Sequence, residues 1–135
     1  MKITVTPATF IMLLCMIATT PPRQLCACLG AALIHELGHV LAAKLLGIDL
    51  AQMRLDVLGA RLVTKGRLCS YPALIALCFA GPFFNFFCFG LSLPFLGYSD
   101  WILEFGMSSL SLGMLNLIPI EGFDGGRILH GALSI

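Results

Sequence analysis

The chain has 135 residues, of which 59% are hydrophobic and only 11% are charged. Soluble globular domains contain roughly 25% charged residues, so the composition excludes an ordinary soluble domain and predicts a single integral membrane domain over residues 1–135. A net charge of +1 without a basic stripe argues against nucleic acid as a partner.

The first half of the chain predicts two helices followed by surface strands. An apolar segment from about residue 5 to residue 20 ends at a Pro-Pro pair and is short for a membrane span. The second helix covers about residues 24–46, and Gly47 is typical of the position that ends a helix. Residues 48–67 partly alternate apolar and charged side chains, which indicates a small β-hairpin at the membrane surface.

The second half of the chain predicts two more spans. The third covers residues 71–96, and we expect an interruption at Gly81-Pro82. The fourth begins near residue 101, breaks at Pro119 and continues through a glycine-rich stretch to residue 135. The predicted fold is therefore an all-α polytopic membrane protein with about four transmembrane helices, a surface hairpin and a broken C-terminal segment.

The distribution of basic residues predicts the orientation in the membrane. Five Lys and Arg residues lie between positions 44 and 67, whereas the loop at 97–100 has none. Short cytoplasmic loops carry an excess of such residues. We therefore expect both termini and the 48–67 loop in the cytoplasm and the 97–100 loop outside, with Arg23 as the one exception.

A five-residue motif, His35-Glu36-Leu37-Gly38-His39, lies within the second predicted helix. Side chains four residues apart share one helix face, so the two imidazoles can bind one zinc ion while Glu36 acts as general base on a water molecule. Three ionisable groups are costly to place in an apolar span, which favours a functional site over a chance occurrence. The motif predicts zinc-dependent hydrolysis of peptide bonds, with one Zn²⁺ per chain.

A catalytic zinc site of this kind has three protein ligands. The predicted topology brings Asp124 to the depth of the histidines, and Gly125-Gly126 would let the backbone turn closely around the site. Asp124 is therefore the favoured third ligand. Glu121 and His130 are the geometric alternatives.

Two asparagines in apolar surroundings are further candidates. Asn85 either bridges two helices or donates a hydrogen bond to the substrate backbone or to the developing oxyanion. Asn116 either satisfies a carbonyl left free by Pro119 or contacts the substrate. The sequence leaves both alternatives open.

Three motifs occur together and in order, namely His35-Glu36-Leu37-Gly38-His39, then Gly81-Pro82-Phe83-Phe84-Asn85, then Asn116-Leu117-Ile118-Pro119 running to Asp124-Gly125-Gly126-Arg127. Jointly they resemble the site-2 protease family of intramembrane zinc metalloproteases, and within it the branch of the bacterial stage IV sporulation protease. The resemblance implies zinc bound by His35, His39 and Asp124, with Glu36 as the catalytic acid/base.

The same resemblance implies the biological setting. The substrates would be transmembrane or membrane-associated proteins, cleaved within the lipid bilayer of a bacterial cytoplasmic membrane. The strands near residues 53–63 resemble a membrane-associated sheet of that family, which can pair with an unwound substrate by strand addition. A homo-oligomer or a regulatory membrane partner is compatible with the sequence, which does not specify either.

Two other functions compete with proteolysis. A non-proteolytic zinc-binding membrane adaptor or pseudoprotease would be free to lose Glu36, which this chain keeps. A metal transporter would need a polar track through the other spans, and the sequence shows only one polar cluster.

Overall fold

The computed structural model describes residues 2–48, 50–56, 59–64 and 70–133. The chain forms strand β1 (Lys2–Val5), helices α1 (Pro7–Thr19) and α2 (Pro22–Leu45), strands β2 (Leu50–Asp56) and β3 (Gly59–Thr64), and helices α3 (Tyr71–Ser92), α4 (Asp100–Asn116) and α5 (Asp124–Leu133). A short 3₁₀ turn, Leu93–Phe95, follows α3.

Local sequence explains where the helices begin and end. Helices α1, α2 and α3 each have a proline in the first turn, where its missing N–H costs no hydrogen bond. The Ser99 side chain caps α4 by accepting a hydrogen bond from the Trp101 N–H. Helix α2 ends at Gly47, whose φ of +65° suits glycine, and the Ile48 N–H donates to the Ala43 carbonyl over 2.8 Å. The sequence predicted an end of this helix next to Gly47, and its last helical residue is Leu45.

Helices α2, α3 and α4 pack against one another, and α5 packs on α3. Small residues allow this close approach. A Cβ atom on Gly38 of α2 would lie 2.9 Å from the Ala80 carbonyl oxygen of α3, and one on Gly113 of α4 would lie 3.3 Å from the Asn85 Cβ. Contacts of this kind are characteristic of helix pairs in membranes, where close van der Waals packing drives association.

The interior of the bundle is small and polar, and its surface is large and apolar. Leu33 and Phe87 are 62% and 54% exposed. The buried apolar residues are Ala27, Ala31, Ala43, Leu77 and Cys78, and the buried polar residues are His35, His39, Asn85, Ser92, Ser109, Asn116 and Asp124. This distribution reverses the pattern of a water-soluble domain and suits a surface that faces lipid.

Two described helices, α2 and α3, are long and apolar enough to cross a membrane. Helix α1 is apolar but has only 13 residues, and α4 has 17. These lengths support a membrane protein, while the expected count of about four spans stays a prediction.

A three-stranded sheet has the order β1-β2-β3, with β1 parallel to β2 and β2 antiparallel to β3. Strands β2 and β3 occupy the segment in which a hairpin was expected. Strand β1 was not predicted. Four residues are too few to show an alternating pattern of side chains, and β1 pairs with a strand that is distant in sequence, with Ile3 opposite Met53.

Two expectations about the second half of the chain were wrong. Helix α3 is continuous through Gly81-Pro82 instead of being interrupted there. Proline has a helical φ and leaves one carbonyl without its helical partner, which packed membrane helices tolerate. Gly125-Gly126 makes no turn either. Both residues are in the first helical turn of α5, and it is Gly122, with φ of +107°, that reverses the chain.

Arg23, the exception to the orientation pattern, forms ion pairs with acidic residues. Its guanidinium contacts Asp100 Oδ2 over 3.0 Å and Glu104 Oε1 over 2.8 Å. The N-terminal ends of α2 and α4 therefore lie side by side, and the two helices run parallel. The positive charge of Arg23 is paired with acidic side chains, and the orientation in the membrane stays a prediction.

We predict that Gly38→Ala destabilises the protein and that Gly90→Ala does not. The added Cβ at Gly38 meets the backbone of α3, and overpacking of this kind costs about 1–3 kcal/mol. A Cβ at Gly90, also within a helix, meets no atom within 4 Å. Thermal unfolding of both variants in detergent tests this, and equal unfolding temperatures would contradict the packing argument.

Candidate metal centre

Three side chains from two helices converge on one point inside the bundle. His35 and His39 lie on one face of α2, and Asp124 is the first residue of α5. His35 Nε2 and His39 Nε2 each lie 3.1 Å from Asp124 Oδ2, and the two Nε2 atoms lie 3.1 Å from each other. All three residues are buried, with 4–7% exposure. Within the described ranges, they form the one group of His, Cys, Asp and Glu ligands that could hold a metal ion.

The geometry of this group fits a zinc ion. Ligands at about 2.0–2.1 Å from a tetrahedral zinc lie about 3.3 Å from one another. The observed triangle of two nitrogens and one oxygen, with sides of 3.1 Å, is close to this spacing. Two imidazoles and one carboxylate are also a typical donor set for a catalytic zinc that keeps one position open.

Helix α3 fixes the orientation of His39. The Nδ1 atom of His39 lies 2.8 Å from the carbonyl oxygen of Leu77, so Nδ1–H donates this hydrogen bond and Nε2 keeps its lone pair for a metal. One turn further along α3, a Cβ on Gly81 would overlap His39 Nε2 and lie 2.7 Å from His35 Nε2. The absence of a side chain at Gly81 therefore leaves the ligand nitrogens accessible.

Asp124 reaches the histidines because the chain between α4 and α5 is not helical. Residues 117–123 form turns and bends, as the break at Pro119 suggested. Gly125 and Gly126 then pack directly on the backbone of Leu117 and Ile120, where a Cβ would overlap carbonyl atoms. The two glycines bring the first turn of α5 close to this segment and so position the Asp124 carboxylate. The N-terminal end of a helix also favours a negative charge.

A cavity of about 760 Å³ leads to the three ligands. It extends from Gln24 and Glu104, at the paired N-terminal ends of α2 and α4, to Asp124. Along α2 the distance from Gln24 to His39 is about 22 Å by helical rise. Glu36 lines this cavity together with His35 and His39, so its carboxyl group is next to the candidate ligands on the side from which a substrate or water would arrive.

The remaining predicted residues occupy different positions. Glu121 and His130, the alternatives to Asp124, are exposed and are not part of the ligand group. Asn116 lines the cavity, and its Nδ2 donates to the Leu112 carbonyl over 3.0 Å. Asn85 is fully buried and contacts His35 instead of the cavity.

Sequence reasoning missed the contribution of Leu77 and Gly81. These residues and Asn85 are spaced four apart on α3, as His35 and His39 are on α2, so both sets form single helix faces. The spacing was visible in the sequence. A backbone carbonyl and a missing side chain leave no chemical signal, so only the packing of α3 on α2 reveals their role.

The comparisons with known proteins agree with this arrangement. No family model matches the chain. A zinc metalloprotease from Methanocaldococcus jannaschii is 30% identical over 117 residues, an alignment that covers 77% of this chain and 32% of that protein. The chain thus spans about a third of the length of this curated relative.

A solved structure shares the fold. The site-2 protease from Methanocaldococcus jannaschii matches with a TM-score of 0.79 and 24% identity, over 98% of this chain and 67% of that one. At this identity the structural match concerns the fold alone. Neither similarity addresses the sporulation branch, which stays a prediction.

We predict that Asp124→Asn lowers the zinc content of the purified protein and that Glu121→Gln does not. The first change removes the negative charge from a ligand 3.1 Å from both imidazoles, whereas Glu121 is exposed and outside the group. Elemental analysis after detergent purification measures the zinc per chain. The opposite pattern would transfer the ligand role to Glu121.

Proposed function

We propose that this chain is the catalytic part of an intramembrane zinc metalloprotease of the site-2 type, which hydrolyses peptide bonds in transmembrane or membrane-associated proteins. The proposal rests on one observation. The Nε2 atoms of His35 and His39 and the Oδ2 atom of Asp124 lie within 3.1 Å of one another inside an apolar bundle. The similarity to a zinc metalloprotease of M. jannaschii supports it, as does the fold shared with a site-2 protease of the same organism.

The roles of the side chains follow from their positions. A zinc ion bound here would act as a Lewis acid on a peptide carbonyl and make water acidic enough to lose a proton near neutral pH. Glu36 lines the same cavity beside His35, where its carboxylate would serve as the general base and then as the general acid toward the leaving amine. His35, His39 and Asp124 would hold the metal, with one Zn²⁺ per chain.

The cavity suits an extended apolar substrate. Most of its wall is apolar, and α1 contributes Met12 and Met16, whose flexible side chains adapt to different partners. Asn116 also lines the cavity, and we propose that it contacts a bound substrate backbone. The three-stranded sheet provides a surface on which an unwound substrate segment can add as a strand.

We also propose the location and orientation stated from the sequence. The protein is an integral protein of a bacterial cytoplasmic membrane with both termini in the cytoplasm. The five Lys and Arg residues between positions 44 and 67 support this orientation, with Arg23 as the one exception.

We predict that Glu36→Gln keeps its zinc and loses cleavage of a co-expressed single-span substrate. The variant preserves the shape of the side chain and both histidines but removes the general base, a role worth about 10²- to 10⁴-fold in rate. The readouts are immunoblots of substrate fragments and the metal content of the same preparation. Wild-type levels of cleavage by the variant would exclude the protease function, and a non-proteolytic zinc-binding adaptor would become the better account.

We predict that water reaches the cavity from the paired N-terminal ends of α2 and α4. Cys28 lies on the cavity wall, with its Sγ atom 3.5 Å from Ser108 Oγ, and reports on this directly. A charged methanethiosulfonate reagent added outside intact cells should modify Cys28, detected by mass spectrometry, while the buried Cys78 stays unmodified.

A control variant separates orientation from water access. Tyr98→Cys adds a thiol in an exposed loop at the same end of the bundle. If this thiol reacts and Cys28 does not, the cavity is dry. If the Tyr98→Cys thiol fails to react in intact cells but reacts after permeabilisation, the orientation is inverted.

A further inference from the structure

We propose that Asn85 is a positioning residue for the metal centre: its side-chain carbonyl Oδ1 accepts a hydrogen bond from His35 Nδ1–H and thereby presents the lone pair of His35 Nε2 to the metal. The inference rests on the proposed function only in requiring that a metal binds at this site. It gives Asn85 a role through His35, in place of the contact with substrate that the sequence suggested.

The packing holds Asn85 in one place. The residue has 0% exposure and lies on α3 one turn beyond Gly81, on the face that meets α2. On its other side, Gly113 of α4 approaches so closely that an added Cβ would lie 3.3 Å from the Asn85 Cβ. The amide group is therefore confined between two helices and aimed at the His35 ring.

The hydrogen bonding of the amide identifies which of its ends faces His35. In the structure, Asn85 Nδ2 lies 3.3 Å from His35 Nδ1, and Asn85 Oδ1 is buried without a hydrogen-bond partner. The two ends of an amide have nearly the same shape, so the hydrogen-bond network decides between them. Exchanging the ends directs Oδ1 at His35 Nδ1 and gives the carbonyl oxygen a donor.

The chemistry of the imidazole favours the exchanged arrangement. If the amide NH₂ donates to Nδ1, the neutral ring carries its proton on Nε2, where it can donate to Asp124 Oδ2 but blocks metal binding. If Oδ1 accepts from Nδ1–H, the proton is on the far side of the ring and Nε2 is free to bind. Of the two neutral tautomers, only the second allows His35 to join the ligand triangle.

The second histidine shows the same arrangement. His39 Nδ1 lies 2.8 Å from the carbonyl oxygen of Leu77 on the same face of α3. Under the proposal both ligand histidines donate from Nδ1 to a carbonyl oxygen, one from the backbone and one from a side chain.

The first test compares metal affinity in three variants of the full chain. Asn85→Leu removes the carbonyl at similar volume and Asn85→Asp keeps an acceptor. Ser109→Ala removes a different fully buried polar group, whose Oγ makes no hydrogen bond to the histidines. Zinc affinity is measured by competition with a chelator. Loss of a partner of this kind costs about 10- to 100-fold in metal affinity.

We expect Asn85→Leu to show that loss, and Asn85→Asp and Ser109→Ala to bind zinc nearly as the wild type does. Unchanged affinity in Asn85→Leu would overturn the proposal, as would equal losses in the Leu and Asp variants, because a role in helix packing alone predicts no rescue by an acceptor. A wild-type protein that binds no zinc would instead contradict the proposed function.

The second test needs no variant and covers the case in which Asn85→Leu does not fold. The chain has three histidines, so ¹⁵N-histidine labelling gives a simple spectrum. In the zinc-loaded protein we expect His35 to carry its proton on Nδ1, with that proton protected from exchange with water by its hydrogen bond to Asn85. Binding of zinc through His35 Nδ1, or an Nδ1–H that exchanges as fast as that of an exposed imidazole, would overturn the proposal.

Discussion

The burial of three polar ligands in an apolar bundle is the constraint on which the rest of the structure depends. No water is available within lipid to satisfy unpaired polar atoms, so the partners must come from the protein. Helix α3 supplies them on a single face, with the Leu77 carbonyl beside His39, no side chain at Gly81, and the Asn85 amide beside His35. The site is thus built by the packing of α3 on α2 as much as by the ligands themselves.

The local parts of the site could be predicted from the sequence. Two histidines four residues apart share a helix face whatever surrounds them, and the end of α2 at Gly47 follows from glycine's tolerance of positive φ. The predicted depth allowed Asp124, Glu121 and His130, and the two glycines after Asp124 favoured it over the others. Its carboxylate lies beside both imidazoles.

The non-local parts could not be predicted in the same way. Strand β1 forms because it pairs with β2, which is about 50 residues away in the sequence. No local sequence pattern predicts that pairing. The local sequence around Pro82 predicts a helix break, but α3 is continuous through this residue because packing against other helices stabilises it. Gly125-Gly126 reads as a turn because Asp-Gly often forms one, whereas here the glycines allow a helix to pack on the 117–120 backbone. In each case the decisive contact comes from another element.

We propose that His35, His39 and Asp124 together bind zinc inside the membrane. X-ray absorption at the zinc edge of the purified full chain measures this coordination directly. We predict nitrogen and oxygen ligands at about 2.0–2.1 Å, with imidazole scattering from two histidines and no sulfur. Thiolate ligands at about 2.3 Å, or the absence of stoichiometric zinc, would contradict the account.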